Sequence, residues 1–516
     1  MTIKAYQSHL LTNFSLPAHR AAMSQALSLV KSRLGRHYPL LIGGRRVETP
    51  EKIASLNPAD PAQVVGYVSK ADGGHVDAAL AAGWEAFARW KQVPGPVRAR
   101  YLYKAAAIMR RRQFELSAWE VLEAGKSWPE ADADVAEAID FLEYYARQME
   151  RLSRPIPLTP LGDEEDEAFY VPLGVGAVIP PWNFPLAILT GMSSAAIVAG
   201  NPIVLKPASP TPVMGALFAE IMEEAGLPAG VLNFLPGDGS TIGDHLVGHR
   251  LTRFVSFTGS REVGLHINRL AADVAPGQRW IKRVVAEMGG KDAIIVDETA
   301  DLDAAADGIV ASAFGFQGQK CSACSRAIIV DAVYGELMPK ILERTARLTI
   351  GPVDNPDHVM GPVVDQRAYD KIFSYIEWGK QHARLSAGGH AMEGAGYFIP
   401  ATIFEDVAPG SKLEQEEIFG PVLSIIRVSD WEAALRVAND TEYGLTGSVY
   451  SKNRGRIEQA RAELEVGNLY INRKCTGAVV GSHPFGGFNM SGTDSKTGSP
   501  DYLLLFLQMK SVAEQF

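Results

Sequence analysis

A cysteine, a glutamate and an asparagine stand out in this sequence for the chemistry their surroundings permit. Cys321 lies in Phe316-Gln317-Gly318-Gln319-Lys320-Cys321-Ser322. The glycine allows close backbone approach, and Lys320 would favour the thiolate, the nucleophilic form of a cysteine. Taken alone, a free cysteine is more often inert core. Glu287 ends an apolar run and is followed by Met288-Gly289-Gly290-Lys291. An acid with two glycines beside it has room for a water and suits a general base, although a carboxylate capping its own turn gives the same pattern. Asn183 is held between prolines in Pro181-Trp182-Asn183-Phe184-Pro185. A preorganised neutral amide is what a developing oxyanion needs; the alternative is an amide that satisfies its own loop.

Other segments could hold phosphate or ribose. Lys206-Pro207-Ala208-Ser209 follows an apolar run, where a doubly wound sheet places its ligand contacts. Lys206 either binds there or is a solvated strand end. Gly237-Asp238-Gly239-Ser240-Thr241-Ile242-Gly243 has a glycine spacing one residue longer than the dinucleotide fingerprint, a weak signal. Phe257-Thr258-Gly259-Ser260 offers a capping residue and an amide-rich turn at a helix start. The cysteines are Cys321, Cys324 and Cys475. Cys321 and Cys324 form a CxxC, but no second pair and no histidines at ligand spacing lie near, so no metal is expected. An odd, sparse count without a visible secretory signal points to a reducing compartment, the cytoplasm.

The elements that must position these residues follow from periodicity. Gly73–Arg112 and Val135–Met149 carry apolar residues at helical spacing, and the acidic stretch Leu161–Glu167 reads as an exposed turn or hairpin tip. From Gly174 short apolar runs alternate with helical windows. Strands are expected at Val175–Ile179, Ile203–Lys206, Val231–Phe234 and Phe254–Phe257, with helices at Leu186–Ala199, Pro212–Ala225, Ser240–Val247 and Val263–Ala271. Buried strands separated by helices signal a parallel sheet covered on both faces. A second α/β run is expected from Val284–Glu287 and Ala293–Val296 onward. It has helices at Leu302–Phe314, Val333–Leu348 and Ala368–Gln381, and strands at Val422–Val428, Gly447–Tyr450 and Leu469–Asn472. The apolar tail around Leu503–Leu507 is either a strand added to a neighbouring sheet or subunit, or a core strand.

Composition excludes several classes. The chain has 516 residues, 47% hydrophobic and 21% charged, enough apolar surface to argue against disorder. With 50 basic against 59 acidic residues the net charge is −9, a poor match for nucleic acid. From Ala168 to Leu205 no residue is charged, a stretch longer than the ~20 positions a spanning helix needs. Pro172, Pro180, Pro181, Pro185 and Pro202 interrupt it, so a soluble strand–loop–helix–strand is expected and no membrane association.

Taken in order, these motifs resemble the aldehyde dehydrogenase superfamily from about Tyr38 to the C-terminus. The same loops carry the likeness, together with Glu416-Glu417-Ile418-Phe419-Gly420-Pro421-Val422. The Thr476–Gly487 segment, Ser491-Gly492-Thr493, the surroundings of Cys321 and the Tyr502-Leu503 tail are similar to the 1-pyrroline-5-carboxylate dehydrogenase group within it. Two positions depart from that group: His483 stands where glutamine is usual, and Cys324 where a smaller residue is common, read here as helix packing.

The resemblance implies an aldehyde dehydrogenase-like α/β fold with three parts. These are a doubly wound cofactor domain (1–152 and 171–286), an α/β catalytic domain (287–475) and a small β oligomerisation flap with the tail (153–170 and 476–516). It implies oxidation of L-glutamate 5-semialdehyde to L-glutamate in proline degradation, with Cys321 as nucleophile, Asn183 as oxyanion donor and Glu287 as base. NAD contacts are implied at Pro181, Trp182, Lys206, Ala208, Ser209, Gly237, Gly239, Thr258, Gly259, Ser260, Val263, Met288, Gly289, Glu417 and Phe419. Ser209 stands where NAD-preferring members often carry an acid, so NADP⁺ use is expected beside NAD⁺. Substrate contacts are implied at Glu137, Phe184, Ser322, Gly477, Ala478 and Phe485. The implied partners are further copies, as a homodimer or homohexamer, and a docked proline dehydrogenase. The rivals are another semialdehyde such as succinic semialdehyde, a non-redox cysteine acyltransferase or hydrolase, and a non-catalytic relative.

Overall fold

The structure, a computed structural model, describes residues 5–515. Among these residues two seven-stranded sheets organise the chain. The first has the spatial order Arg283–Glu287, Phe254–Thr258, Gly176–Ile179, Ile203–Leu205, Leu232–Phe234, Leu40–Ile42, Arg45–Val47. Its first five strands are parallel, and the last two form an antiparallel hairpin at the edge. The chain leaves Gly176–Ile179 toward Ile203–Leu205 on one side and later returns to Phe254–Thr258 on the other. The strand order therefore reverses beside Gly176–Ile179, where ligands bind in doubly wound sheets. The uncharged stretch resolves as that strand, the Asn183 loop, a buried helix Ala187–Val198 and the strand Ile203–Leu205. No helix among the described residues is long and apolar enough to cross a membrane.

The second sheet runs Arg384–Ala387, Thr402–Glu405, Val422–Val428, Cys324–Val330, Asp292–Val296, Thr446–Tyr450, Asn468–Ile471, parallel apart from its first strand. Its central pair aligns Ile294 with Ala327 and Ile295 with Ile328, all fully or almost fully buried. Burial on both faces accounts for these unbroken apolar runs.

Three expectations change. Val284–Glu287 does not begin the second α/β run: its strand pairs with Phe254–Thr258 and closes the first sheet. Glu287 therefore comes from one sheet, whereas Cys321 immediately precedes a strand of the other. That strand, Cys324–Val330, was not expected, and Cys324 opens it rather than packing in a helix. In the tail, Tyr502–Phe506 is a short 3-10 turn burying Tyr502, Leu503 and Phe506; the exposed strand follows at Leu507–Gln515 and pairs antiparallel with Glu164–Pro172. The acidic stretch, expected as an exposed turn or hairpin tip, supplies Glu164–Glu167 of this two-stranded ribbon.

Candidate active site

The turn that presents Cys321 is unusual backbone. After the helix Leu302–Phe314, three consecutive residues take left-handed conformations: Phe316 at φ 49°, Gln317 at 56° and Gly318 at 67°. Non-glycine residues pay for that conformation, so the surroundings must hold it. The Gln317 side-chain amide donates to the carbonyls of Gly125 (3.1 Å) and Pro362 (2.8 Å), and Gln319 Oε1 accepts from Val364 N (2.9 Å). The Cys321 carbonyl lies against Gly290, where a Cβ would come within 2.5 Å of it. Lys320 does not serve the thiol as expected, because its ammonium is paired with Glu130 at 2.7 Å. Burial, with the Asp292, Glu417 and Glu287 carboxylates nearby, pushes the Cys321 thiol well above its ordinary range. The resting thiol is protonated and needs an acceptor for its proton.

Asn183 is buried, and its Nδ2 donates to the carbonyl of Gln319 at 3.0 Å. The amide reaches across to the nucleophile's turn instead of satisfying its own loop. An amide NH₂ carries two donors, so one remains for an oxyanion. Glu287 Oε1 accepts from the Ser495 hydroxyl in a short contact, while Oε2 has no hydrogen-bond partner among the described residues. Gly492 borders it, and a Cβ there would lie 3.4 Å from Oε2. Burial raises the Glu287 carboxyl to about 8. Ser495 was not anticipated from the sequence.

The cofactor candidates follow the carboxyl ends of successive strands of the first sheet. Pro181 and Trp182 follow Gly176–Ile179; Lys206, Ala208 and Ser209 follow Ile203–Leu205; Gly237 and Gly239 follow Leu232–Phe234. Thr258, Gly259 and Ser260 end the next strand, and Met288 and Gly289 the last. Ser260 caps the helix Arg261–Ala272 by accepting from Val263 N at 3.4 Å. Lys206 is 5% exposed; its backbone N donates to Val178 O, its ammonium has no hydrogen-bond partner among the described residues, and burial lowers that ammonium to about 8. Glu417 arrives from the second sheet's side and accepts from Gly290 N at 3.1 Å. A Cβ at Gly289 would stand 2.4 Å from both Glu417 oxygens. Phe419, at φ 62°, meets the Trp182 ring edge-on at 5.5 Å. A buried, unpartnered cation and an exposed strand-end rim with a capped helix N-terminus fit a dinucleotide.

Among the substrate candidates, Gly477 (φ 78°) and Ala478 have backbone N–H groups that donate to nothing among the described residues. Their turn is closed by His483, whose Nδ1 accepts from Val479 N at 3.2 Å, so the unusual histidine is a turn-closing group. Glu137 is half-buried on the helix Trp128–Leu152, and burial raises its carboxyl to about 8. The Phe184 ring lies under the fully buried Lys126 ammonium at 4.2 Å. Lys126 is held by Glu120 and Asp134, a cluster not anticipated from the sequence. Ser322 is buried, its carbonyl accepting from Cys475 Sγ at 3.3 Å, and Phe485 pairs through its backbone with Thr497. Asp77, His245 and His249 also stand together, but Asp77 Oδ1 takes both imidazoles (2.7 and 3.4 Å). His249 Nδ1 accepts from Leu251 N at 3.1 Å, which in the neutral ring leaves the proton on Nε2, toward Asp77.

Residues 46–512 match the pattern described as the Aldehyde dehydrogenase family. The chain belongs to that family. It is 56% identical over 514 residues to the 1-pyrroline-5-carboxylate dehydrogenase of Geobacillus kaustophilus, covering all of both chains. A solved 1-pyrroline-5-carboxylate dehydrogenase from Thermus with bound NAD superposes with a TM-score of 0.99 at 54% identity, again over both full chains. Proline utilization A from Bdellovibrio bacteriovorus superposes at 0.98 with 45% identity; this aldehyde dehydrogenase chain lies entirely within the match but spans 54% of that one.

Proposed function

We propose that the chain oxidises L-glutamate 5-semialdehyde, in equilibrium with 1-pyrroline-5-carboxylate, to L-glutamate in proline degradation, with NAD⁺ as oxidant. The observation that carries this is the gathering of Asn183 and Glu287 around the Cys321 turn, in a chain matched end to end by proteins of that name. Lys206, the Ser260 turn and Glu417 would hold NAD⁺; when bound it accepts a hydride from the substrate carbon.

Cys321 Sγ adds to the aldehyde carbon as the carbonyl electron pair moves to oxygen, and the thiol proton passes to Glu287. The second Asn183 N–H and the Cys321 backbone N–H hold the oxyanion of the thiohemiacetal. Glu287 then gives that proton up to solvent, and once the carbon is at the thioester level its carboxylate takes a proton from water. The water oxygen adds to the carbonyl carbon, the Cys321 thiolate leaves, and L-glutamate is released. The Gly477 and Ala478 amides form a nest for the substrate α-carboxylate. Phe184, Ser322 and Phe485 border the chain, and Glu137 takes the α-amino end. The exposed Ser209 hydroxyl does not repel a 2′-phosphate, which supports NADP⁺ use beside NAD⁺.

NADH formation on L-glutamate 5-semialdehyde should exceed that on succinic semialdehyde at least about tenfold, roughly 1.4 kcal/mol of discrimination, and vanish in Cys321→Ala. Equal rates would overturn the substrate. NADH from Cys321→Ala would overturn the nucleophile. Acyl transfer or hydrolysis without NADH, unaffected by Glu417→Ala, would favour a non-redox cysteine enzyme. Copies would associate as a dimer or hexamer through the Glu164–Pro172 and Leu507–Gln515 ribbon, an isolated pair that gains from added contacts. A cytoplasmic location suits the free cysteines. The match to half of a proline utilization A chain supports a proline-oxidising partner.

A further inference from the structure

The family pattern begins at residue 46, yet residues 5–14 lie along the molecule as an extended arm with specific side-chain contacts. Its targets are restricted. Thr12 donates from its N (2.7 Å) and Oγ1 (2.6 Å) to Asp132, and His9 N donates to Asp140 at 2.8 Å. Gln113 ties the arm further, pairing with His9 Nε2 at 3.0 Å and donating to Asp132 at 2.7 Å. Phe14 meets the Trp128 ring at 5.5 Å, and Tyr6 meets Tyr144 edge-on at 5.2 Å. All of these but Gln113 belong to the helix Trp128–Leu152, and the two aspartates bracket Glu137 in sequence. Tyr6 also reaches a second element. Gly481 is seated between the two tyrosine rings, where a Cβ would stand 2.8 Å from Tyr144 and 3.1 Å from Tyr6. Gly481 belongs to the turn that carries the free Gly477 and Ala478 amides.

We propose that this arm is a positioning element for the amino-acid head group of the substrate: it fixes the Glu137 helix and the Gly477–His483 turn to one another. The inference rests on the substrate reading above. An α-amino acid aldehyde is gripped at its ammonium and its carboxylate, and the separation of the two protein groups decides how well both are met. Misplacement by about 1 Å in such a pair costs up to ~10²-fold. An aldehyde with no head group does not report that separation. None of the arm contacts named above involves Cys321, Asn183 or Glu287, so the effect is on recognition rather than on the bond-making steps.

The test compares the full chain with a variant lacking residues 1–13 and with Tyr6→Ala. L-glutamate 5-semialdehyde and propanal serve as substrates, and the melting temperature is recorded for each protein. KM for the semialdehyde should rise at least about tenfold in both variants, with kcat/KM for propanal and KM for NAD⁺ within twofold of the full chain. Equal losses on both aldehydes, or an unchanged KM for the semialdehyde, would overturn the arm's role. If truncation lowers the melting temperature, Tyr6→Ala decides alone. A full chain that does not prefer the semialdehyde to propanal defeats the substrate reading itself; a preference that survives both variants defeats only the arm.

Discussion

Burial makes Glu287 a poor acid with one oxygen already engaged by Ser495, which ties the proposed base to pH around 8. With its carboxyl at about 8, only about a tenth is ionised at pH 7. The carboxylate is the active form and its fraction grows as pH rises. Hydrolysis of the Cys321 acyl-enzyme should therefore climb nearly tenfold per pH unit from 6 to 7, more gently toward 8, and level above it. Glu287→Gln should abolish the climb. Single-turnover rates across that range would check this, and a flat wild-type profile would count against Glu287 as base. Asn183→Ala should lower turnover by ~10²–10³ while the protein stays folded, the usual cost of losing one oxyanion donor; near-normal turnover would remove that role. Asn183, Glu287 and Cys321 were legible because each sits in a short, chemically distinctive run. Ser495 was not, because its contact with Glu287 crosses 208 positions of chain. Lys320 was misread for a similar reason: its nearest carboxylate comes from Glu130, on a distant helix.

At the level of elements, the left-handed turn before Cys321 is set by its neighbours as much as by its own residues. Gly318 faces the carbonyl of Gly420, and a Cβ there would fall 2.3 Å from that oxygen. Gly318→Ala should cost about 1–2 kcal/mol for the left-handed backbone alone, with the backbone clash added. Thermal unfolding should show a lowered midpoint, and rapid-quench measurement a slowed thioester-forming phase; an unchanged midpoint and rate would show that the turn relaxes freely. Strands whose apolar residues dominate from their first positions were readable to within a residue or two, as in Val422–Val428, where Ser424 and Arg427 are single interruptions. The central strand Cys324–Val330 was not, because Ser325 and Arg326 together break the start of its pattern and leave only Ala327–Val330 as an apolar run. That arginine is buried by donating to Glu414 and to the carbonyls of Lys291, Val437 and Ala438. The start of the tail was misread because buried Tyr502, Leu503 and Phe506 follow helical spacing, packing on Tyr145 and Phe254, before the extended strand begins at Leu507.

Across the whole molecule, the two sheets meet in sequence at Met288-Gly289-Gly290-Lys291, between the strands Arg283–Glu287 and Asp292–Val296. Periodicity hid this junction, since one apolar strand follows another with no helix between them. The junction is pinned by Met288 N donating to Ser491 O at 2.8 Å and by Glu417 on Gly290 N. In the proposed mechanism the first sheet delivers the base, Glu287, and the second the nucleophile, Cys321. Both half-reactions pass a proton through Glu287, so attack on the aldehyde and release of the acid alike depend on how faithfully one sheet is indexed against the other. A lesion that loosens this four-residue coupling would leave each sheet folded and slow both steps together, a loss of turnover without a loss of structure.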